Sequence, residues 1–308
     1  MFVDIHAHAY RKPVPFVVQF PSVEELLKRY DECGIEMGCV LPVVNSEIYL
    51  PQANEDILEM AEQHPDRIIP FCNVDPRALS DSPYAPLDRV LAYYKDKGCR
   101  GVGEIMPNLA TMDERVQNLF RCAEKVGLPV TWDGSDRIGG DFGLYDEPGI
   151  PQFERTLARF PKLTVFAHGP IFWSELGRLE TPAQRKPVFN DNADYVFSEM
   201  PVSPIREEGV VPKLFRHYPN LLGELSDAFR MLNCDHDYGP KFLTEFQDRL
   251  FFGTDICFAS MPFNTMKLLL KWRGEGKITE AVFRKIAREN AIRFFNLPLP
   301  IGGDAVSG

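Results

Sequence analysis

The sequence predicts an α/β fold in which eight strands, each followed by a helix, close into a (β/α)8 barrel, also called a TIM barrel. Three observations support this. Short apolar runs alternate with amphipathic stretches along all 308 residues, prolines recur where helices give way to strands, and no glycine-rich dinucleotide turn follows the first strand. Such a turn is typical of the alternative, an open doubly wound sheet. Strand-helix alternation implies parallel pairing, and eight units are most naturally accommodated in a closed barrel.

The apolar runs predict eight strands, at residues 2–6, 37–43, 67–74, 100–105, 129–133, 163–168, 221–225 and 250–254. The amphipathic stretches predict helices at residues 22–33, 54–63, 86–97, 113–126, 151–160, 240–247 and 277–296. Ser22 followed by Glu24 and Glu25 has the pattern of a helix N-cap with an acidic first turn. Pro65, Pro161 and Pro219 mark helix-to-strand junctions, because proline ends a helix and favours extended backbone before it.

We expect one barrel domain over residues 1–296 and a loose C-terminal tail over 297–308. Two segments, 135–149 and 169–204, are too long to be simple connections. They follow the fifth and sixth strands, so in a barrel they lie on the C-terminal face, where active sites form. Long loops at this face are expected to act as lids or substrate-binding elements.

Composition and charge exclude several functional classes. Hydrophobic residues make up 44% and charged residues 25%, values typical of a soluble globular protein, and the net charge of −10 argues against nucleic-acid binding. We expect no membrane span, because no apolar run approaches roughly 18 residues. We expect no secretory signal, because the N-terminus lacks a charged segment followed by an apolar one. Seven scattered cysteines indicate a reducing compartment without disulfides. The expected protein is cytoplasmic and acts on a small molecule; a homodimer is left open.

The first strand ends in His-x-His, at His6 and His8. Side chains alternate faces along a strand, so these two imidazoles point the same way. Two imidazoles on one face can bind one metal ion, and Zn, Fe, Mn and Ni all suit them. The alternative is a coincidental pair of polar residues on a terminal strand.

Polar residues also end four other predicted strands, namely Glu104, Asp133, His168 and Asp255. Charged side chains are rarely buried unless they are paired or bind a metal. Five matched strand ends with such residues are what a convergent metal site needs. Simpler roles remain open: His168 as a core histidine, Asp255 as a turn cap, and Glu104 paired with an arginine.

These motifs resemble the metal-dependent amidohydrolase superfamily, in particular its amidohydrolase-2 branch. The resemblance rests on Asp-Ile-His-Ala-His at the start, Gly-Glu-Ile in strand four, Phe-Ala-His-Gly-Pro in strand six and Phe-Phe-Gly-Thr-Asp in strand eight. Glu289-Asn290-Ala291 resembles the closing motif of the family. The match spans nearly the whole chain in the order of the family.

The resemblance implies that His6 and His8 bind a divalent metal, most often zinc, with manganese or iron as alternatives. It implies that Asp255 is both a ligand and the base that takes a proton from water. His168 would bind a second metal or polarise the substrate carbonyl, and Glu104 would bridge two metals where two are present. One ion or two are therefore open.

The chain departs from the family at strand five, where a histidine ligand is usual and Asp133 stands instead. Aspartate binds zinc as well, so Asp133 is a candidate ligand. The substitution equally suits a weaker site, a harder metal such as manganese, or a metal-free relative. Arg137, Arg230 and His236 follow strands and are candidate substrate-binding residues, although solvated surface positions are the simpler interpretation.

The predicted function is metal-dependent hydrolysis of an amide, lactone or ester bond in a small acidic metabolite. Non-oxidative decarboxylation of an aromatic or muconate-type acid is the first alternative, which the resemblance includes within the same branch. A non-catalytic relative that uses the barrel to bind a ligand is the second.

Overall fold

The computed structural model describes residues 1–13, 18–44, 47, 50, 52–139, 142–185, 187–189, 195–197, 199 and 203–301. Its strands are β1 (Phe2–Ala7), β2 (Ile35–Val40), β3 (Ile68–Pro70), β4 (Val102–Ile105), β5 (Val130–Ser135), β6 (Leu144–Tyr145), β7 (Val165–His168), β8 (Pro187–Phe189), β9 (Tyr195–Phe197), β10 (Leu221–Glu224) and β11 (Leu250–Phe251).

Twelve α-helices lie in these ranges: α1 (Val23–Cys33), α2 (Asn54–Gln63), α3 (Leu87–Asp96), α4 (Glu114–Val126), α5 (Pro151–Arg159), α6 (Pro170–Ser174), α7 (Val210–His217), α8 (Phe229–Asn233), α9 (Tyr238–Glu245), α10 (Asn264–Gly274), α11 (Glu280–Arg284) and α12 (Asn290–Phe295). A π-helical turn, Lys285–Glu289, joins α11 to α12. No helix in the described part of the chain is long and apolar enough to span a membrane.

Eight of these strands form two parallel sheets that meet at both edges. One has the order β1-β2-β3 and the other β4-β5-β7-β10-β11. At one seam the Cys72 N–H donates to Gly101 O (3.0 Å) and the Gly103 N–H to Cys72 O (2.8 Å). At the other, the Ile5 N–H donates to Phe252 O (3.0 Å). The result is a ring of eight parallel strands, which confirms the predicted α/β barrel.

All eight predicted strands overlap strands of this ring, although their ends differ. The strand predicted at 67–74 is continuous only over Ile68–Pro70. Beyond it single backbone hydrogen bonds follow, from the Phe71 N–H to Val40 O (3.1 Å) and at Cys72 to the neighbouring strand. The two long segments are not simple loops. The first contains β6, which pairs with β5, and the second contains α6, a 3-10 turn at Pro182–Arg185 and the antiparallel pair β8 and β9.

Helix α1 shows how local sequence sets the element bounds. The Ser22 hydroxyl accepts the Glu25 N–H, and the Glu25 carboxylate accepts the Ser22 N–H, so both form a capping box. Gly34 ends the helix in the left-handed conformation, with φ of 68°. The next residue begins β2, so this turn directs the chain back into the barrel.

An apolar cluster fills the interior of the ring. Its members come from six strands or the residues just after them and from α12, and they are Val3, Ile5, Met37, Cys39, Leu41, Ile69, Phe71, Phe166, Leu222, Phe251, Ala291, Ile292 and Phe295. Because these strands lie on opposite sides of the ring, the barrel is a packed core and not a pore.

The start of the expected loose tail is packed against this cluster. Leu297 and Leu299 contact it, and Arg288 Nη1 donates to Pro300 O (2.6 Å). These contacts bury apolar surface of the two leucines and hold residues 297–300 against the barrel. The division into a barrel over 1–296 and a tail over 297–308 stays a prediction. The remainder, 302–308, lies outside the described residues.

Candidate metal centre

His6 and His8 lie side by side at the end of β1, 0% and 1% exposed. Their Nε2 atoms are 3.2 Å apart. The Asp4 carboxylate fixes this end of the strand, because it accepts the His6 N–H (3.0 Å) and the Thr254 N–H (3.0 Å). This arrangement ties β1 to the chain that follows β11 and brings the histidines next to Asp255.

Three histidines have Nδ1 bonded to a protein oxygen. His8 Nδ1 contacts Leu41 O (2.8 Å), while His6 Nδ1 (3.1 Å) and His168 Nδ1 (2.6 Å) both contact Glu224 Oε2. Carbonyl and carboxylate oxygens accept hydrogen bonds, so each Nδ1 carries the proton. In the neutral rings the three Nε2 atoms then offer lone pairs.

Two carboxylates complete the cluster. Glu104, in β4, has Oε2 at 3.5 Å from His6 Nε2 and 3.4 Å from His8 Nε2, and Oε1 at 3.2 Å from His168 Nε2. Asp255 has Oδ1 at 3.2 Å from His8 Nε2 and Oδ2 at 4.0 Å from His168 Nε2. Residues from four separate strand ends thus converge on one point.

The separations and the chemistry of these atoms fit a metal ion. Nitrogen and oxygen ligands about 2.0–2.2 Å from an ion lie roughly 3 to 3.5 Å from one another. Ligand atoms of His6, Glu104, His168 and Asp255 all lie within 4.8 Å of one another. Each is a lone-pair donor, and such a group is favourable around a cation.

Charge leads to the same conclusion. Burial disfavours the imidazolium form of His6, but the Glu104 and Glu224 carboxylates outweigh it and raise the pKa of His6 to about 10. Burial alone would raise the pKa of Glu104, yet His168 and His6 hold it well below its ordinary value. The cluster therefore favours positive charge, supplied by protons or by a cation.

A cavity of about 1280 Å³ opens over the cluster. Asp255 is the most open of the five side chains, with 15% of its side chain exposed. The cavity wall contains many apolar residues, among them Phe20, Phe142, Phe229, Phe258, Phe263, Met106 and Met261. The candidate centre therefore lies at the floor of a cavity that a small molecule can enter.

Residues 3–297 match the sequence profile of the amidohydrolase-2 family, whose description is "Amidohydrolase". The chain belongs to this amidohydrolase family. The family predicted from the motifs is confirmed. No curated protein matches the chain.

Three solved structures are similar to this amidohydrolase over almost the full length of both chains. An uncharacterised TIM-barrel protein from Bordetella bronchiseptica has a TM-score of 0.61, 18% identity and coverage of 96% of this chain and 98% of its own. A probable 2-pyrone-4,6-dicarboxylic acid hydrolase from Acinetobacter baumannii, with citric acid bound, has a TM-score of 0.58 and 13% identity. The match covers 96% of this chain and 99% of the hydrolase chain. A dihydroxybenzoic acid decarboxylase from Polaromonas sp. JS666, with manganese and 2-nitroresorcinol bound, has a TM-score of 0.56 and 15% identity. The match covers 97% of this chain and 98% of the decarboxylase chain. At these identities the likeness shows the fold, and hydrolases and decarboxylases share it.

Asp133 lies in β5, two residues before its end, and lines the cavity beside the cluster. Its Oδ1 is buried and has no hydrogen-bond partner among the described residues. Burial raises the pKa of Asp133 well above its ordinary value, and the nearby Glu104 charge raises it further. Asp133 is not among the four residues whose possible ligand atoms all lie within 4.8 Å of one another. Its role as a ligand stays a prediction.

The structure separates the three candidate substrate-binding residues. Arg137 and Arg230 line the cavity, and Arg137 Nη1 also contacts Asp136 Oδ1 (2.9 Å). His236 lines a different, shallow depression on the surface. Its Nε2 contacts Asn233 Oδ1 (3.0 Å), within the turn between α8 and α9. His236 is therefore not brought to the cavity.

Sequence reasoning missed Glu224 and Asp227. Glu224 bonds two of the histidines, and Asp227 Oδ2 lies 3.5 Å from His168 Nε2. A signal for Glu224 was present, because Gly223-Glu224 at the end of β10 repeats the Gly103-Glu104 pair of β4. No comparable pattern identifies Asp227, which lies in a 3-10 turn after the strand.

Proposed function

We propose that this amidohydrolase is a metal-dependent hydrolase that cleaves an amide, lactone or ester bond of a small acidic molecule. His6, His8, His168, Glu104 and Asp255 would hold the divalent cation. The observation that carries the proposal is the convergence of three imidazole Nε2 atoms and two carboxylates at the floor of one cavity.

The ligand set favours zinc. Three imidazoles suit a borderline-soft ion, whereas carboxylates also suit manganese. When bound, such a cation lowers the pKa of water from about 15.7 toward about 7 and polarises a carbonyl group. Glu104 presents its two oxygens to different histidines, an arrangement that is compatible with one ion or with two.

Asp255 is the proposed base. It adjoins the cation ligands and is open to the cavity, so a water molecule held there is within reach of its carboxylate. Asp255 would take the proton of this water and then donate it to the leaving group. His168 would hold the cation through Nε2, since its Nδ1 is bonded to Glu224.

The cavity supports a small acidic substrate. Its arginines, Arg137 and Arg230, are suited to bidentate contacts with a carboxylate, and its apolar wall excludes water from the rest of the molecule. The bound citric acid of the Acinetobacter baumannii structure is consistent with acidic ligands on this fold.

The first test is metal content and reaction type. Elemental analysis of the purified protein should find about one or two divalent ions per chain. The metal-loaded protein should then open lactones or cleave esters of small dicarboxylic acids. Carbon dioxide release from aromatic acids without hydrolysis would instead identify a decarboxylase, and full activity of the chelated protein would contradict the metal mechanism.

A further inference from the structure

Glu224 is the last residue of β10 and 0% exposed. A single oxygen of its carboxylate, Oε2, is shared by two imidazoles, at 3.1 Å from His6 Nδ1 and 2.6 Å from His168 Nδ1. The two rings come from β1 and β7 and lie with centroids 4.3 Å apart. One carboxylate therefore links two histidines from separate strands.

The surroundings of Glu224 hold this carboxylate in place. The Ser226 N–H donates to Oε1 (2.7 Å), and the Ser226 hydroxyl donates to Oε2 (2.7 Å). The Trp173 indole N–H donates to the backbone carbonyl of Glu224 (2.9 Å). At Gly253 a Cβ would overlap Oε1, so only glycine leaves room for the carboxylate there. Every described contact fixes Glu224 behind the imidazoles and not among the Nε2 atoms.

We propose that Glu224 is a positioning residue that holds His6 and His168 with Nδ1 protonated and both Nε2 atoms directed at the same cation. The proposal rests on the proposed metal-dependent function. A carboxylate bonded to a ligating histidine fixes its orientation and raises its basicity. Here one carboxylate would do so for two ligands at once, which makes the site unusually dependent on a single residue.

An ionised carboxylate is the group that these contacts require. Oε1 and Oε2 together receive four hydrogens, from two imidazoles and from the N–H and hydroxyl of Ser226. A glutamine offers one oxygen and one NH2 group. If the NH2 group takes the place of Oε1, it faces the Ser226 N–H. If it takes the place of Oε2, it faces the two imidazole N–H groups. In either orientation at least one hydrogen bond is lost, because two donors then face each other.

The experiment compares Glu224→Gln with Glu175→Gln. Glu175 is also buried, at 4% exposed, but it accepts the Gly149 N–H (2.8 Å) and lies outside the cavity lining. The affinity of the metal-free protein for Zn²⁺ is measured by competition with a chromogenic chelator. We expect Glu224→Gln to weaken binding by about 10- to 100-fold, whereas Glu175→Gln leaves it unchanged.

A second readout reports the imidazoles directly. Hydrogen-bonded Nδ1 protons of His6 and His168 should give downfield NMR resonances in slow exchange, with and without Zn²⁺. Glu224→Gln should shift or abolish them, and Glu175→Gln should not. Wild-type affinity together with unchanged resonances in Glu224→Gln would overturn the proposal.

The two readouts separate this proposal from the proposed function. If the wild-type protein binds no divalent cation, the proposed function fails, and the resonances alone then decide whether Glu224 holds the imidazoles.

Should Glu224→Gln not fold, Glu224→Asp retains the charge but is one methylene shorter. It should lose at least one of the two Nδ1 resonances, and retention of both would overturn the proposal.

Discussion

Asp255 combines a role at the candidate centre with an uncommon backbone conformation. Its φ of 46° lies in the left-handed region, which few residues other than glycine adopt. Aspartate and asparagine tolerate it better than most, and such conformations cluster at functional sites. The conformation turns the carboxylate toward His8, 3.2 Å away.

We predict that Asp255→Asn abolishes turnover while the fold is kept. Asparagine fits the same backbone and has a similar shape, but it cannot accept the proton of water. The rate should fall by a factor on the order of 10² to 10⁴. Steady-state kinetics measure this, and circular dichroism checks the fold. Asp237→Asn, an exposed position outside the cavity, is the control. Equal activity of both variants would exclude Asp255 as the base.

Gly169 offers a second test at the residue scale, because it packs against Asp133. Gly169 and Gly149 have similar positive φ values, 92° and 87°. Alanine at either position costs about 1–2 kcal/mol of backbone strain. Only at Gly169 would the added Cβ overlap the Asp133 carboxylate, whereas the space around Gly149 is open.

Gly169→Ala should therefore lower the free energy of unfolding more than Gly149→Ala, as measured by urea denaturation. It should also reduce enzymatic activity, because Asp133 lies beside Glu104 and His168. Identical effects of the two substitutions would show that Asp133 does not require this packing.

At the residue scale the sequence located the clustered side chains better than the groups that hold them. That His6, His8, Glu104, His168 and Asp255 lie together could be predicted because strand ends meet at one face of a barrel, and their role as ligands stays a prediction. The contact between Glu224 and two histidines depends on the distance between β10, β1 and β7, which no local pattern contains. His236 shows that a residue after a strand end can also lie away from the cavity, since it lines a separate depression.

At the element scale the alternation of apolar runs was sufficient to predict the strands of the ring. Helix α2 has the predicted bounds, and α1 and α4 begin one residue after the predicted start, because Ser22 and Asp113 are their N-caps. Helices α7 and α10 were not predicted, and neither were α6 and α8, which have five residues each. Helices this short form through tertiary packing, and their sequences carry too little periodicity to be recognised.

Helix α5 provides a pH-dependent prediction. Asp146 accepts the Phe153 N–H (2.7 Å) and the Gln152 N–H (3.1 Å) at its start. Burial nevertheless raises the pKa of Asp146 from 3.8 to about 7. The folded state therefore binds a proton more tightly than the unfolded state, and the contribution of Asp146 to stability falls as pH rises from about 4 to about 7.

Asp146→Asn retains an oxygen acceptor but does not ionise. We expect the stability of the variant relative to wild type to increase with pH across this interval and to level off above about pH 7. Chemical denaturation at several pH values between 4 and 8 measures the difference. A difference that is independent of pH would show that Asp146 is ionised throughout.

For the whole molecule, the candidate centre is a cross-link between distant parts of the chain. Its residues come from β1, β4, β7 and the segment after β11, that is, from positions 6 to 255. The apolar cluster fills the ring below, whereas around the centre carboxylates and imidazoles are buried together. Such buried polar groups are costly without a partner of opposite charge. The stability of this end of the barrel should therefore depend on the cation.

This dependence gives the last prediction. Anything that binds the folded state alone stabilises it by RT ln(1 + [L]/Kd), which is about 2.7 kcal/mol when the ligand is at 100 times Kd. For a domain of this size, Zn²⁺ at that excess should raise Tm by several degrees, and a chelator should reverse the rise. Differential scanning fluorimetry measures it. The double variant His6→Ala/His8→Ala should show no response to Zn²⁺, since two of the three imidazoles at the centre are gone and only that of His168 remains. A rise of equal size in that variant would mean that the ion binds elsewhere.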